Sequence, residues 1–194
     1  MLLFATLALA DTGCPATWPE PTAPNGRAIL VLKSERRLAV YENGTLAART
    51  LTDGSTEPAC FAVGLGQGGI PGPKRQRGDL KTPEGHYRVF KKNPNSRYYK
   101  SLGVSYPNAD DVRASQALGV VTTTTAQTAL ATIASGKTPS QYTEMGGDIM
   151  IHGFGGTSDW TLGCIAVENV EMDYLFAVGE PGTPVLILPS LTGR

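Results

Sequence analysis

The chain holds three cysteines and two histidines in 194 residues. One of each falls inside the stretch from Ile149 to Val167, IMIHGFGGTSDWTLGCIAV. His152 and Cys164 stand twelve positions apart with several glycines between them, so the connection can fold back and bring both side chains to the ends of neighbouring strands. A thiol attacks as thiolate, and a nearby imidazole is the usual group that takes its proton. A buried cysteine on its own is more often a small hydrophobe; the pairing, in a chain this poor in histidine, points to acyl transfer. That reaction also needs donors for the oxyanion and a group that orients the base. Gly163 precedes Cys164, so N–H groups around 162–164 can aim at a carbonyl unobstructed, which makes Gly163 and Cys164 the expected oxyanion hole. Gly153 follows His152, and its carbonyl, or a neighbour's, is placed to accept the imidazole N–H and set the tautomer. Asp159 is the nearest carboxylate able to orient the base, and Thr161 adds a hydroxyl nearby.

The elements that must position this pair read as β-rich. Asp148–Ile151 is an apolar strand running into His152, and Cys164–Val167 is a second. A helix follows from Asn169 or Val170 to Val178, with Glu171 and Asp173 in its first turn and Gly179 and Pro181 ending it. Upstream, Ala28–Leu32 and Arg37–Tyr41 flank the tight Ser34-Glu35-Arg36 turn as a hairpin, and Asn43-Gly44 turns the chain into Thr45–Leu51. Cys60–Leu65 and His86–Phe90 are strands on either side of a Gly/Pro-rich loop, 64–85. Asn108–Leu118 and Ala126–Ser135 read as helices stopped by Gly119 and Gly136, with Val121–Thr125 between them as loop or short strand. The Thr-rich segment 120–143 is expected to be a lid or wall over the cleft, or else a surface insertion. Pro184–Leu188 is the last strand. Strands outnumber helices, and the many turn residues, 23 Gly and 14 Pro, favour a mainly β sandwich with a few peripheral helices.

At this length one domain is the default. With 17 acidic and 17 basic side chains the net charge is zero, which gives no electrostatic footprint for nucleic acid or a membrane surface. Residues 1–10, MLLFATLALA, end in a small-x-small pattern and read as a short signal segment, so export to the periplasm or cell envelope is expected, with no transmembrane span. Residues 11–26 carry four prolines and no periodicity, a linker or arm. Cys14 and Cys60 are either one disulfide, leaving Cys164 free, or two thiols. Lipidation at Cys14 is disfavoured by Asp11, where such sites want an aliphatic residue. Two histidines and three scattered cysteines match no zinc spacing, so no metal and no cofactor is expected.

His152-Gly153 followed by Thr161-x-Gly163-Cys164 resembles the signature of the L,D-transpeptidase (YkuD-type) catalytic domain of bacterial cell-wall enzymes. Gly78–Tyr87, GDLKTPEGHY, is similar to that family's Gly-x-x-x-Thr-Pro-x-Gly-x-Tyr block, and Gly182-Thr183-Pro184-Val185 continues the likeness. Ser101–Asn108 is similar to a block preceding the active site in one branch. The resemblance covers residues 27–189 and implies a YkuD-type β-sandwich of mixed sheets acting on peptidoglycan stem peptides. Under it, Cys164 is the nucleophile, His152 the base and Gly153 the carbonyl that orients it. The acyl acceptor would be an amine on a neighbouring stem, a lipoprotein lysine, or water. Many members carry His before the Gly-Cys pair and Arg two residues after Cys; here Leu162 and Ala166 stand there. Trp160, Asp159, Thr161 and Lys74 are the expected substrate contacts, with Lys74, Arg75 and Arg77 of the glycine-rich loop able to supply the missing positive charge. Hydrolysis on the same fold, as an L,D-carboxypeptidase or an amidase on peptidoglycan–lipoprotein links, is the alternative activity. A non-catalytic cell-wall binding domain is the third.

Overall fold

The two apolar runs either side of Ser34-Glu35-Arg36 pair in antiparallel register as β1 (Arg27–Leu32) and β2 (Arg37–Glu42), in a computed structural model that describes residues 13–191. The expected signal segment 1–10 lies outside the described residues. Successive side chains of a strand point to opposite faces. Ile29 and Val31 accordingly enter the main core, while Ala28, Leu30 and Leu32 pack with Trp18, Tyr41 and Leu186 on the other face. Burial on both faces explains why β1 reads as an unbroken apolar run.

The remaining strands are β3 (Thr45–Leu46), β4 (Ala48–Thr50), β5 (Thr56–Pro58), β6 (Cys60–Ala62), β7 (Gly85–Ser96), β8 (Tyr99–Val104), β9 (Met150–His152), β10 (Ile165–Ala166) and β11 (Pro184–Leu188). The helices are α1 (Ala109–Ala117), α2 (Thr123–Ala134) and α3 (Asn169–Val178). The main sheet runs β10-β9-β8-β7-β11-β1-β2-β3, with β6 also on β2. Pairing is parallel at β1/β11 and β9/β10 and antiparallel elsewhere, so the sheet is mixed. Gly64, just past β6, bridges back to Ala166 of β10, which brings the two ends of the sheet together around the core.

Three elements depart from expectation. β7 runs on to Ser96 and β8 was not expected; the two form one long irregular hairpin with register shifts at Val89/Lys91 and Asn93/Ser96. Thr123 begins α2, so Val121–Thr125 is in part helical: the Thr122 side chain caps the Thr125 N–H and offsets the weak helix preference of the threonines. The helix of segment 120–143 does not line the cleft described below; Ala126 and Ala129 are buried among Val112, Val121 and Met145, while Gln141 and Tyr142 at the end of the segment line a hollow beside that cleft.

Cys14 and Cys60 form a disulfide, so the Cys14 sulfur is not available to carry a lipid. Residues 13–26 are therefore not a free linker. Tyr41 donates to Pro15 O at 2.7 Å, the Leu46 N–H to Ala16 O, and Trp18 meets Tyr41 edge-on. A second anchor is Lys33, 1% exposed, whose ammonium donates to Gly72 O, Thr82 O and Glu84 Oε1. It fastens the glycine-rich loop 64–85 to the end of β1.

Candidate active site

The parallel register of β10 on β9 sets Ile165 beside Ile151 and Ala166 beside His152. Cys164 lies two positions before Ala166, so its side chain emerges on the same face as the imidazole. Both line one cleft of about 450 Å³, together with Tyr98, Asp148, Trp160 and Leu162.

His152 is held from several sides. His152 Nδ1 lies 2.7 Å from Gly153 O; a carbonyl only accepts, so the proton resides on Nδ1 and Nε2 is left as the lone-pair nitrogen. The Tyr98 ring stacks on the imidazole at 4.8 Å and Trp160 meets it edge-on at 5.5 Å. With 2% of its surface exposed, His152 is desolvated, and this pulls its pKa below the ordinary 6.5, against the pull of the Gly153 carbonyl. The imidazole is neutral at pH 7. Asp159 does not orient it: both of its carboxylate oxygens bond Arg36, at 2.7 and 3.2 Å, and Oδ1 also accepts the Leu65 N–H. That carboxylate instead ties the 153–164 connection to the β1–β2 turn.

Cys164, a free thiol, is half-buried. Its Sγ–H points at Asp148 O, 3.5 Å away, and the Met150 N–H donates to the sulfur. Burial pushes the thiol above the ordinary 9.0 and the Asp148 charge acts the same way; the Met150 N–H and the Lys74 charge oppose them. The thiol is thus protonated at rest. Thr161 fixes the backbone beneath it: its Oγ1 donates to Cys164 O at 2.8 Å and accepts the Gly163 N–H at 3.1 Å. Thr82 Oγ1 reaches the same Cys164 carbonyl at 3.5 Å. Gly163 adopts φ 128°, where a Cβ would come within 2.7 Å of Lys81 O, so only glycine fits before Cys164. Of the two expected oxyanion donors, the Gly163 N–H is already engaged by Thr161.

Comparison with known proteins decides what kind of domain carries this pair. Residues 26–187 match the family model of the YkuD L,D-transpeptidase catalytic domain. The chain belongs to that family. It is 31% identical over 131 residues to YafK of Escherichia coli K12, a match covering 63% of this chain and 40% of YafK. Among solved structures it resembles a point mutant of the helical cell shape determining protein Pgp2 from Campylobacter jejuni, with 26% identity, a TM-score of 0.52, and coverage of 86% of this chain and 48% of that one. Bd1075 of Bdellovibrio bacteriovorus shares the fold at 21% identity and a TM-score of 0.51, over 91% of this chain and 54% of that one. The chain thus spans about half the length, or less, of these relatives.

Within this L,D-transpeptidase-family domain, the two departures from the common motif have different settings. Leu162 is 71% exposed at the cleft mouth, whereas Ala166 is fully buried in β10 with Gly64 bridged against it. Trp160 and Thr161 line the cleft, while Asp159 is not among its lining residues. Lys74 lies buried in an adjoining compartment, donating to Asp79 Oδ1 and Gln76 O, each at 2.8 Å. Arg75 turns away to Asp111. Among the described residues no cluster of His, Cys, Asp and Glu is arranged to hold a metal ion. Sequence reasoning missed Tyr98, Asp148 and Met150. Only the paired aromatics Tyr98-Tyr99 in an otherwise polar stretch signalled the first, and nothing signalled the backbone groups of the other two.

Proposed function

We propose that this domain is a peptidoglycan L,D-transpeptidase working through a thioester on Cys164. The observation that carries the reading is that Cys164 and a neutral His152, its Nδ1 proton held on Gly153 O, open onto one cleft large enough for a peptide. His152 Nε2 takes the Sγ proton as sulfur attacks the carbonyl of the third stem residue. The imidazolium then hands that proton to the departing D-alanine amine. An amine of a second stem attacks the thioester, losing its proton to His152 and restoring the thiol. With the Gly163 N–H committed to Thr161, the Cys164 N–H is the donor assigned to the oxyanion. Burial keeps both groups neutral at rest, so proton transfer accompanies attack instead of preceding it.

The site of action is the cell envelope, in keeping with a cell-wall family; no helix among the described residues is long and apolar enough to cross a membrane. Incubation with a disaccharide tetrapeptide, followed by mass analysis, tests the proposal. Wild-type protein yields a cross-linked dimer with loss of D-alanine, and Cys164→Ala yields neither. A blank from both proteins defeats it. Leu162 supports a second reading, transfer to water: an exposed aliphatic side chain at the cleft mouth offers an incoming stem no polar contact. Under that reading, adding an amine acceptor leaves the product ratio unchanged.

A further inference from the structure

The cleft does not end at Leu162. A second hollow of about 360 Å³ adjoins it, sharing Gly147, Asp148 and Leu162 as a common wall. Its other walls are Lys74, Arg77, Leu80 and Tyr142, the last 80% exposed. The two hollows lie side by side along that wall, with the sulfur and the His152–Tyr98–Trp160 cluster in one and the Arg77–Tyr142 pair in the other.

The charges along them are not evenly matched. Lys74 is neutralised by Asp79 at 2.8 Å, and Asp148 faces Lys91 at 3.6 Å. Arg77 has no carboxylate within ion-pair distance among the described residues. Its Nε and Nη2 both donate to Thr143 O, at 3.2 and 2.9 Å, and its backbone N–H donates to Glu144 O. A neutral carbonyl orients the guanidinium without cancelling its charge, and Nη1 is left over as a donor. An oriented guanidinium with a free edge in a hollow is suited to a carboxylate.

The direction of the substrate follows from the chemistry already assigned. The imidazole returns its proton to the departing amine, so the amine side of the scissile bond must lie at the His152 end. The acyl side then extends the opposite way, over Leu162 and Asp148. We propose that the Arg77–Tyr142 hollow is an acyl-side subsite, in which Arg77 binds a carboxylate of the donor peptide and Tyr142 walls the chain. This rests on the transpeptidase reading for its polarity.

Titration calorimetry on the Cys164→Ala protein tests the subsite without turnover. The probes are a stem tetrapeptide with its acyl-side carboxylate free and the same peptide with that group as a primary amide. The free acid is expected to bind about tenfold more tightly, the size of one charge-assisted hydrogen bond. Adding Arg77→Ala should abolish that difference by weakening the acid alone; unchanged affinity for the amide shows that the variant is folded. Equal affinity of the two peptides, no binding of either, or a preference that survives Arg77→Ala would overturn the proposal. A preference that depends on Arg77, found alongside no product from wild-type protein, would retain the anion subsite while defeating the transpeptidase reading.

Discussion

Thr161 joins the Gly163 N–H and the Cys164 carbonyl through one hydroxyl, so removing that oxygen alone is an incisive perturbation. Thr161→Val keeps the branched shape but leaves the Gly163 N–H without an acceptor and Cys164 O with only the longer Thr82 contact. Thr161 is 3% exposed, so water does not readily replace what is lost. Each stranded buried group costs about 1–3 kcal/mol, which gives about 3 kcal/mol for the pair with the carbonyl partly satisfied. With an m-value of about 3 kcal/mol/M for a domain of this size, the urea midpoint should fall by about 1 M. The turn carrying Cys164 also loses its brace, so kcat should drop while KM changes little. Thr161→Ser keeps the hydroxyl and loses one methyl, about 1 kcal/mol, and should restore kcat. The reasoning fails if Thr161→Val matches wild type in both urea midpoint and kcat, or if Thr161→Ser is as damaged as Thr161→Val.

Acid should switch the reaction off only well below the usual histidine range. His152 must be neutral to accept a proton and its pKa is lowered, so kcat/KM should hold down to pH 6.5 and fall beneath it, with no thiolate-driven rise before pH 9.0; an acid limb centred above 6.5 would contradict the buried-base picture. Tyr98→Ala strips the stacked ring from the imidazole and admits water, so that acid limb should move up toward 6.5, read from the same pH profile. Lys33→Met leaves Glu84 and two carbonyls without their cation and should cost about 3 kcal/mol in denaturant unfolding. Replacing Cys14 by Ala opens a disulfide that spans 46 residues, worth about 4 kcal/mol by loop entropy. The melting temperature should fall, while product formation per folded molecule stays the same.

The parts of the site legible in the sequence were those whose residue types are scarce and reactive. His152 and Cys164 stood out because few other groups in the chain can share a proton and a carbonyl. Pro184–Leu188 and Asn169–Val178 were equally readable, the first as an apolar run, the second through its acidic first turn and the Gly179 stop. β8 was hidden for a physical reason. Its last four residues are buried, and Lys100 and Gly103 interrupt the apolar pattern, so no period of two appears. The outer half of β7, Lys91–Ser96, is mostly polar and contains Pro94, and it holds as a strand only by pairing with β8. The role of Asp159 was invisible because its partners, Arg36 and Leu65, are remote in sequence. The same holds for Tyr98, which sits between two strands and reaches His152 only once β8 pairs with β9.

β10 is two residues long, clasped by β9 on one flank and by the single Gly64 bridge on the other. The backbone that carries Cys164 is therefore held beside His152 by a few amide contacts at a seam of the sheet, together with the Thr161 and Thr82 hydroxyls on the Cys164 carbonyl. If that seam opens ahead of the other strands, the placement of Cys164 beside His152 is lost while those strands stay paired. Slow deuterium uptake at the amides of Ala166 and Val167 and slow alkylation drift at Cys164 should then rise together with temperature, below the global melt, making the thiol a built-in gauge of how often the seam opens.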